Sequence, residues 1–152
     1  MHRIYLDDVR TPYDEEWIVV RSYSEFVATI EKLGLHNIIE MSLDHDLGRE
    51  AMSEYFNNVS PNYTLDYNNI INEKTGYDCA KWLVDHFYDK HPEALTKHRI
   101  FRGTKIEFPN VYVHSANPIG ASNIMGYINN FLMNEAQPQT CVRVVIPHTI
   151  DD

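Results

Sequence analysis

Apolar residues run straight into acid at residues 41 to 46, Met41-Ser42-Leu43-Asp44-His45-Asp46. The same transition occurs near the N-terminus, where Ile4-Tyr5-Leu6 is followed by Asp7 and Asp8. When two strands of one parallel sheet end at the same edge, the residues that follow them meet in one crevice. So much negative charge in one place is tolerable only with a divalent cation or a proton. We therefore expect the functional site at this edge of the sheet.

Strand and helix patterns alternate along the chain. Short β-branched and apolar runs predict strands at residues 4–6, 17–20, 38–43, 111–113 and 142–146. Apolar residues at helical spacing predict helices over residues 23–33, 76–88 and 119–133. Ser22 and Glu25 form a capping-box pattern before the first of these helices. Strands that alternate with helices predict a mainly parallel sheet with right-handed crossovers and helices on both faces.

Length and composition are typical of one globular domain. The chain has 152 residues, of which 43% are hydrophobic and 23% charged. Its formal net charge of -9 argues against general binding to duplex DNA. No run approaches the ~20 apolar residues of a membrane span, and no export signal is recognisable. Cys79 and Cys141 fit neither a metal site nor a disulfide framework, so we expect reduced thiols and a cytoplasmic location.

One segment outside the alternation is an insertion at residues 49–75, which is rich in tyrosine and asparagine. Its apolar periodicity is weak, and a connection of this length without clear secondary structure is typically a functional loop or a disordered one. Tyr55, Tyr63 and Tyr67 of this segment either pack locally or form platforms on which a base can stack.

A second such segment is basic. Residues 97–105 carry four cations and no acid, namely Lys97, Arg99, Arg102 and Lys105. This cluster is either a solvated edge or a patch that faces phosphate, in which case Arg99 and Arg102 meet a second phosphate of the substrate.

Four motifs stand in order at the predicted strand ends and helix starts. They are Leu6-Asp7-Asp8-Val9-Arg10-Thr11-Pro12, Ser42-Leu43-Asp44-His45-Asp46-Leu47-Gly48, Thr75-Gly76-Tyr77-Asp78 and Val113-His114-Ser115-Ala116-Asn117-Pro118. In this order they resemble the cyclic-phosphate processing receiver domain, a divergent branch of the response-regulator receiver fold found in bacteria and their phages. The resemblance covers most of the chain outside the insertion and the basic segment.

The resemblance implies one receiver-like domain over residues 1–152. Its fold would be a flavodoxin-type three-layer α/β sandwich with a five-stranded, mainly parallel sheet in the order 2-1-3-4-5. For a phage-encoded member, the expected location is the cytoplasm of the host.

The resemblance also implies roles for single residues. The acidic pair that binds Mg²⁺ in receivers corresponds to Asp7 and Asp8, the phosphoacceptor corresponds to Asp44, and the hydroxyl residue after the fourth strand corresponds to Ser115. The receiver lysine, however, falls at Ile146, and the helix between the first two strands is reduced to a loop. Both departures weigh against signalling by phosphorylation.

Two histidines, His45 and His114, stand where ordinary receivers have none and indicate acid–base chemistry. Water opens a cyclic phosphate only if the phosphoryl charge is neutralised and groups accept and donate protons. We therefore interpret the histidines as the base and acid pair, together with catalytic Asp44. The expected ligands of Mg²⁺ or Mn²⁺ are Asp7, Asp8, Asp44 and Asp46, and the expected phosphate donors are Arg10, Ser115 and Asn117.

Each of these residues also has a purely structural interpretation. The alternatives are a turn cap for Asp7 and Asp8, a turn residue for Asp46, a hydrogen-bonded core histidine for His114, a helix N-cap for Asn117 before Pro118, and a surface ion pair with Asp14 or Glu15 for Arg10.

The leading hypothesis for function is a metal-dependent phosphoesterase that acts on a cyclic phosphate of a nucleotide or an RNA terminus. The alternative is a non-catalytic binder that sequesters a phosphorylated nucleotide or a protein partner, as a phage-encoded interaction protein does. The sequence leaves open the identity of the substrate, the choice between Mg²⁺ and Mn²⁺, and the oligomeric state.

Overall fold

Five parallel strands form one sheet in the computed structural model, which describes residues 1–92, 108–135 and 140–144. The strands are β1 (His2–Leu6), β2 (Trp17–Val20), β3 (Ile38–Leu43), β4 (Asn110–Val113) and β5 (Val142–Arg143). Their order is β2-β1-β3-β4-β5, and every neighbouring pair is parallel. The predicted receiver-like α/β fold and its strand order are confirmed.

Helices occupy every connection between consecutive strands except the first, from β1 to β2. In the described residues the α-helices are α1 (Tyr23–Leu33), α2 (Arg49–Glu54), α3 (Ser60–Asn62), α4 (Gly76–Lys90) and α5 (Pro118–Glu135). The three helices predicted from apolar spacing correspond to α1, α4 and α5. Ser22 caps α1 as expected, because its side chain accepts a hydrogen bond from the backbone N–H of Glu25 at 3.2 Å.

One face of the sheet and the three long helices share a hydrophobic core. Parallel register places Ile4, Met41 and Val111 side by side, and all three are buried. Their core partners on the helices include Phe26 of α1, Phe87 of α4 and Ile128 of α5. Each of the three crossovers that carry these helices moves along the sheet in the same direction, so right-handed connections put the helices on the same face. The sequence predicted helices on both faces, whereas these three long helices share one face.

The connection from β1 to β2 runs the other way and contains no helix. Residues 7–16 form a loop with turns, although the two strands that it joins are parallel. The predicted loss of the first receiver helix is thus confirmed. Because the loop begins directly at Asp7 and Asp8, the acidic pair lies on an unusually short connection.

The insertion at residues 49–75 is folded, which corrects the expectation of a loop without secondary structure. After α2 the chain makes a π-helical turn (Tyr55–Val59), continues into α3 and later forms a 3-10 turn (Tyr67–Asn69). Carboxylates hold these turns together. Glu73 accepts hydrogen bonds from the first backbone N–H groups of α2, and buried Glu54 accepts them from three groups of the insertion. Hydrogen bonds to these carboxylates therefore stabilise the insertion, whose sequence lacks a clear apolar periodicity.

Some expectations fall outside the described residues, namely the basic segment with Arg99 and Arg102, and Ile146 at the end of the last predicted strand. Within the described part of the chain, no helix is long and apolar enough to cross a membrane.

Candidate active site at the carboxyl edge of the sheet

The sheet brings Asp7, Asp44 and His114 together. The backbone N–H of Asp44 donates to the carbonyl of Leu6 at 3.0 Å, and that of His114 donates to Leu43 at 2.9 Å, so the ladder continues one residue beyond each strand. One side-chain ligand atom from each of the three residues lies within 4.8 Å of the other two. All three side chains are buried. The convergence expected from the strand ends is present for Asp7 and Asp44, whereas Asp8 and Asp46, which were also expected as ligands, do not belong to this cluster.

Asp7 has two sets of partners. Its Oδ1 accepts hydrogen bonds from the backbone N–H groups of Val9 at 3.0 Å and Arg10 at 2.7 Å, which closes a turn. Its Oδ2 faces Nε2 of His114 at 3.1 Å and Nε of Arg10 at 3.6 Å. Burial alone would raise the pKa of Asp7, but the hydrogen bonds from His114 and from the two backbone amides lower it below its usual value. Asp7 is thus a turn cap and a charged site residue at once.

His114 lies beneath the crevice with both ring nitrogens engaged. Its Nε2 donates to ionised Asp7 at 3.1 Å, and its Nδ1 lies 2.7 Å from the hydroxyl oxygen of Ser42. The ring stacks on Tyr5 with centroids 4.3 Å apart. Burial lowers the pKa of His114, and the nearby Asp7 carboxylate opposes part of that effect. His114 is a hydrogen-bonded buried histidine and also the residue that orients Asp7.

Asp44 is a buried carboxyl next to a second carboxylate, that of Asp7. Burial first, and then the neighbouring Asp7 carboxylate, raise the pKa of Asp44 to about 7. Half-buried Asp8 has a raised pKa for the same two reasons. The hydrogen bond that Oδ1 of Asp44 accepts from the backbone N–H of His45 at 2.7 Å offsets only part of the rise in its pKa. A buried carboxyl with a pKa near neutrality indicates a functional site.

Asp46 is held by two donors. Nδ1 of His45 lies 2.6 Å from its Oδ1, and Nδ2 of Asn117 lies 3.1 Å from the same oxygen. Asn117 also caps α5, since its Oδ1 accepts from the backbone N–H of Gly120 at 2.9 Å. His45 is fully buried, and a Cβ on Gly120 would overlap its ring. Asn117 is therefore the N-cap that the alternative interpretation expected, and in addition it is a partner of Asp46.

A crevice of about 70 Å³ opens above these groups. It is lined by Asp8, Val9, Arg10, Asp44, Asp46, Met52, Tyr55, Ser115 and Ala116. Arg21, the residue after β2, holds one wall in place. Its guanidinium donates to the carbonyls of Asp7 and Arg10 and to the hydroxyl of Thr11, at distances of 2.6 to 3.2 Å. The short loop after β1 is thereby fixed over the ends of the strands.

A match along most of the chain decides the family. A sequence model described as the cyclic-phosphate processing receiver domain matches residues 2–130. The chain belongs to this family. The matched range contains every site residue described above, and the description of the family ties it to the processing of cyclic phosphates. Comparisons with curated proteins and with solved structures gave no match.

The receiver domain arranges the predicted site residues in layers. The crevice wall contains Asp8, Arg10, Asp44, Asp46 and Ser115. Asp7 and His114 lie beneath it, whereas His45 and Asn117 lie behind Asp46. The ring nitrogens of the two histidines face different protein partners and do not converge on one point of the crevice.

Sequence reasoning missed some residues of the receiver domain's site. Arg21 carried no signal, because an arginine after a strand is most often a surface residue. Ser42 belongs to one of the four motifs, but only the alternation of β3 could have shown that it shares a sheet face with Tyr5, its register partner. Tyr67 was expected only to pack or to stack, and its link to His45 depends on the fold of the insertion.

Proposed function

We propose that this receiver domain is a metal-dependent phosphoesterase that opens a cyclic phosphate on a nucleotide or at an RNA terminus. The observation that carries the proposal is the closeness of buried Asp7 to Asp44, which lines a crevice together with Arg10 and Ser115. Acidic and cationic groups in one small cavity match the two needs of phosphoryl chemistry, a cation site and donors for phosphate oxygens.

The donor set fits a hard divalent cation such as Mg²⁺ or Mn²⁺. Asp7, Asp8 and Asp44 offer carboxylate oxygens, the ligands that such ions prefer. The pKa of Asp44 is raised to about 7 because burial and the Asp7 carboxylate outweigh the backbone N–H of His45 and the charge of Arg10, and a bound cation would favour the ionised form. His114 and the turn amides hold Asp7 in one orientation, as the hydrogen-bonding partners of metal ligands do. When bound, the cation would supply charge neutralisation at the phosphoryl oxygens and a more acidic water.

Side chains of the crevice wall would bind the phosphate oxygens and accept a proton. Arg10 has a half-buried guanidinium that neighbours Asp7 and can donate to phosphate oxygens. Asp46 has its Oδ1 held by His45 and Asn117, and its Oδ2, 3.5 Å from the same Nδ2 of Asn117, would accept a proton from an attacking water. In this proposal the two histidines act through the carboxylates that they hold, His45 through Asp46 and His114 through Asp7.

The size of the crevice limits which part of the substrate enters it. About 70 Å³ accommodates a group of the size of a phosphate, whereas pockets for whole drug-sized ligands measure about 300 to 1,000 Å³. The rest of the substrate would then lie on the rim, where Val9 and Met52 are exposed and Tyr55 offers a ring. A nucleobase suits such a rim because its faces are flat and weakly polar.

One observation favours the alternative, a binder without turnover. Both ring nitrogens of His45 and both of His114 face protein partners, so neither imidazole presents a free nitrogen to the crevice. A protein that only sequesters a phosphorylated nucleotide needs Arg10 and the cation site but no proton transfer.

Phosphorus NMR of the full chain distinguishes the two functions. The protein is incubated with a panel of cyclic phosphates, including 2′,3′-cyclic nucleotides and an RNA with a cyclic terminus, in the presence of Mg²⁺ or Mn²⁺. The phosphoesterase predicts a new monoester resonance that requires the cation and is lost in Asp44→Asn. The matched control is Asp85→Asn, since Asp85 is exposed on α4 outside the crevice.

The binder predicts a stoichiometric complex and no new resonance. If the panel shows neither turnover nor binding in the presence of either cation, both proposals are wrong.

A further inference from the structure

A second cavity lies on the insertion, outside the crevice. It is an open groove of about 450 Å³ between α2, the π-helical turn and the 3-10 turn, and Arg49, Ser53 and Asn69 are among the residues that line it. Its lining within the described residues is charged or polar throughout. The volume falls within the range of about 300 to 1,000 Å³ that is usual for pockets that bind small organic ligands. The groove therefore suits a ligand that is polar over most of its surface.

Buried Glu54 determines which groups the groove presents. Its Oε1 accepts hydrogen bonds from Nδ2 of Asn58 and from Nδ2 of Asn69, each at 2.8 Å. An ionised carboxylate only accepts, so both amides must turn their nitrogen towards Glu54 and their Oδ1 away from it. Neither Oδ1 has a hydrogen-bond partner among the described residues. The groove thus presents two oriented acceptors for N–H or O–H groups of a ligand.

Arg49 adds a cation to this groove. Its side chain is exposed, and no carboxylate pairs with it within the described part of the chain. The carboxylates of the groove are already engaged, Glu54 by the two asparagines and Glu50 by the backbone and side chain of Asn72. An unpaired guanidinium suits a phosphate, because its N–H groups match two phosphate oxygens. A cation next to acceptors for N–H and O–H groups is complementary to a nucleotide, which carries a phosphate, sugar hydroxyls and base amino groups.

The crevice and the groove lie on different sides of α2. Met52 and Tyr55 line the crevice, whereas Arg49 and Ser53 line the groove. A helix with its side chains is about 10 to 12 Å across, so one phosphate group cannot occupy both cavities. Helical spacing places Phe56 between Met52 and Ser53 around the axis, and its ring is 66% exposed. An aromatic ring there provides a surface for a base that passes from one cavity to the other.

We propose that the groove is a second subsite, which binds the neighbouring nucleotide of an oligonucleotide whose terminal phosphate occupies the crevice. Arg49 then contacts a phosphate between nucleotides, and Asn58 and Asn69 accept from the neighbouring nucleoside. The preferred substrate is accordingly an RNA end and not a free mononucleotide. This inference rests on the proposed function, since the crevice must hold a phosphate, and it decides between the two substrates named there.

Titration calorimetry of the full chain with Mg²⁺ or Mn²⁺ compares a ribonucleoside 3′-monophosphate with a dinucleotide that ends in the same 3′-monophosphate. Neither ligand has a cyclic ester to open, so binding is measured without turnover of such an ester. We expect the dinucleotide to bind about tenfold more tightly, because only this ligand reaches the groove. Arg49→Gln should lower the affinity for the dinucleotide about tenfold and leave that for the mononucleotide unchanged.

Ser53→Leu is a second variant, which fills the groove from an exposed position and should also remove the preference for the dinucleotide. Lys32→Gln is the matched control, because it removes the same charge from an exposed position on α1, which lines neither cavity. Equal affinities for the two ligands, no binding of either, or a preference that persists in both variants would overturn the inference. The phosphoesterase proposal would survive each of these results, because it is judged by the phosphorus NMR assay with cyclic mononucleotides.

Discussion

Nε2 of His114 lies 3.1 Å from Oδ2 of Asp7, although 107 residues separate the two positions. The contact joins the end of β4 to the end of β1 across β3, which lies between them in the sheet. It leaves Asp7 ionised and fixed next to Asp44, whose own pKa is raised to about 7 by burial and by the Asp7 charge. One carboxylate stabilised as an anion beside another that resists ionisation is the electrostatic basis of the proposed cation site.

The first prediction concerns this cation site. Because Mg²⁺ or Mn²⁺ would bind the folded protein and not the unfolded chain, either ion should raise the melting temperature. At a concentration of about 100 Kd the gain in unfolding free energy should be about 2.7 kcal/mol. Asp44→Asn should abolish the gain, and Asp85→Asn should preserve it, as measured by calorimetry with and without the ion. A melting temperature that stays constant up to millimolar ion would contradict the site.

The second prediction concerns two glycines that permit close approach to the site. A Cβ on Gly76 would overlap the backbone oxygen of Asp44, and a Cβ on Gly120 would overlap the ring of His45. Replacement of either glycine by alanine should therefore lower the free energy of unfolding. The loss should be larger for Gly76→Ala than for Gly120→Ala, because a backbone oxygen cannot rotate away as a side chain can.

Gly126 of α5 is the matched control for these variants, since a Cβ added there would meet no atom within 4 Å. Gly126→Ala should stabilise the helix by about 0.5 to 1 kcal/mol. Denaturant unfolding of the three variants measures these differences. A neutral Gly76→Ala would mean that α4 does not begin against the site loop.

The third prediction concerns the pH dependence of stability through Glu54. This carboxylate is buried in the insertion, and burial alone would raise its pKa, but hydrogen bonds from the backbone N–H of Asp66 and from Asn58 and Asn69 lower it. A carboxyl with a lowered pKa stabilises the fold above its usual pKa, and the stabilisation is lost as the pH falls through the lowered value.

Glu54→Gln should therefore lower the free energy of unfolding at neutral pH. At acidic pH the free energies of unfolding of the variant and the unmodified protein should differ less. Removal of an acceptor from such buried donors costs about 1 to 3 kcal/mol. Exposed Glu31 of α1 is the control, and Glu31→Gln should change little at either pH. Denaturant unfolding at both pH values tests the prediction, which is wrong if the two variants behave alike.

The fourth prediction concerns the rim of the crevice. If Tyr55 contacts the part of the substrate that lies outside the crevice, Tyr55→Ala should weaken binding of a cyclic nucleotide by about tenfold, since stacking on an aromatic ring contributes about 1 to 3 kcal/mol. Binding of a minimal cyclic phosphate without a base should change much less. Titration calorimetry with both ligands provides the comparison, and exposed Tyr63 offers Tyr63→Ala as the control. Equal losses for both ligands would show that Tyr55 supports the fold and does not select the substrate.

Sequence patterns were sufficient for the fold and for the place of the site. The strands, the three long helices and the strand order followed from periodicity of 2 and 3.6 residues and from a resemblance carried by four local motifs. Local rules determine such features because apolar spacing, caps and strand ends depend on neighbours in the chain. For the same reason, Asp7 and Asp44 could be placed at one edge of the sheet from the sequence alone.

Only the tertiary structure decided what each side chain contacts there. Three contacts join segments that are distant in sequence, namely the pairing of Asp7 with His114, the burial of His45 under Gly120 and the hydrogen bond between Tyr67 and His45. The structure of the insertion could not be predicted from its sequence for a related reason, since its turns are held by the carboxylates of buried Glu54 and half-buried Glu73 and not by an apolar stripe. Hydrogen-bond direction depends on the geometry of specific donor and acceptor atoms, and no periodicity in a sequence encodes that geometry.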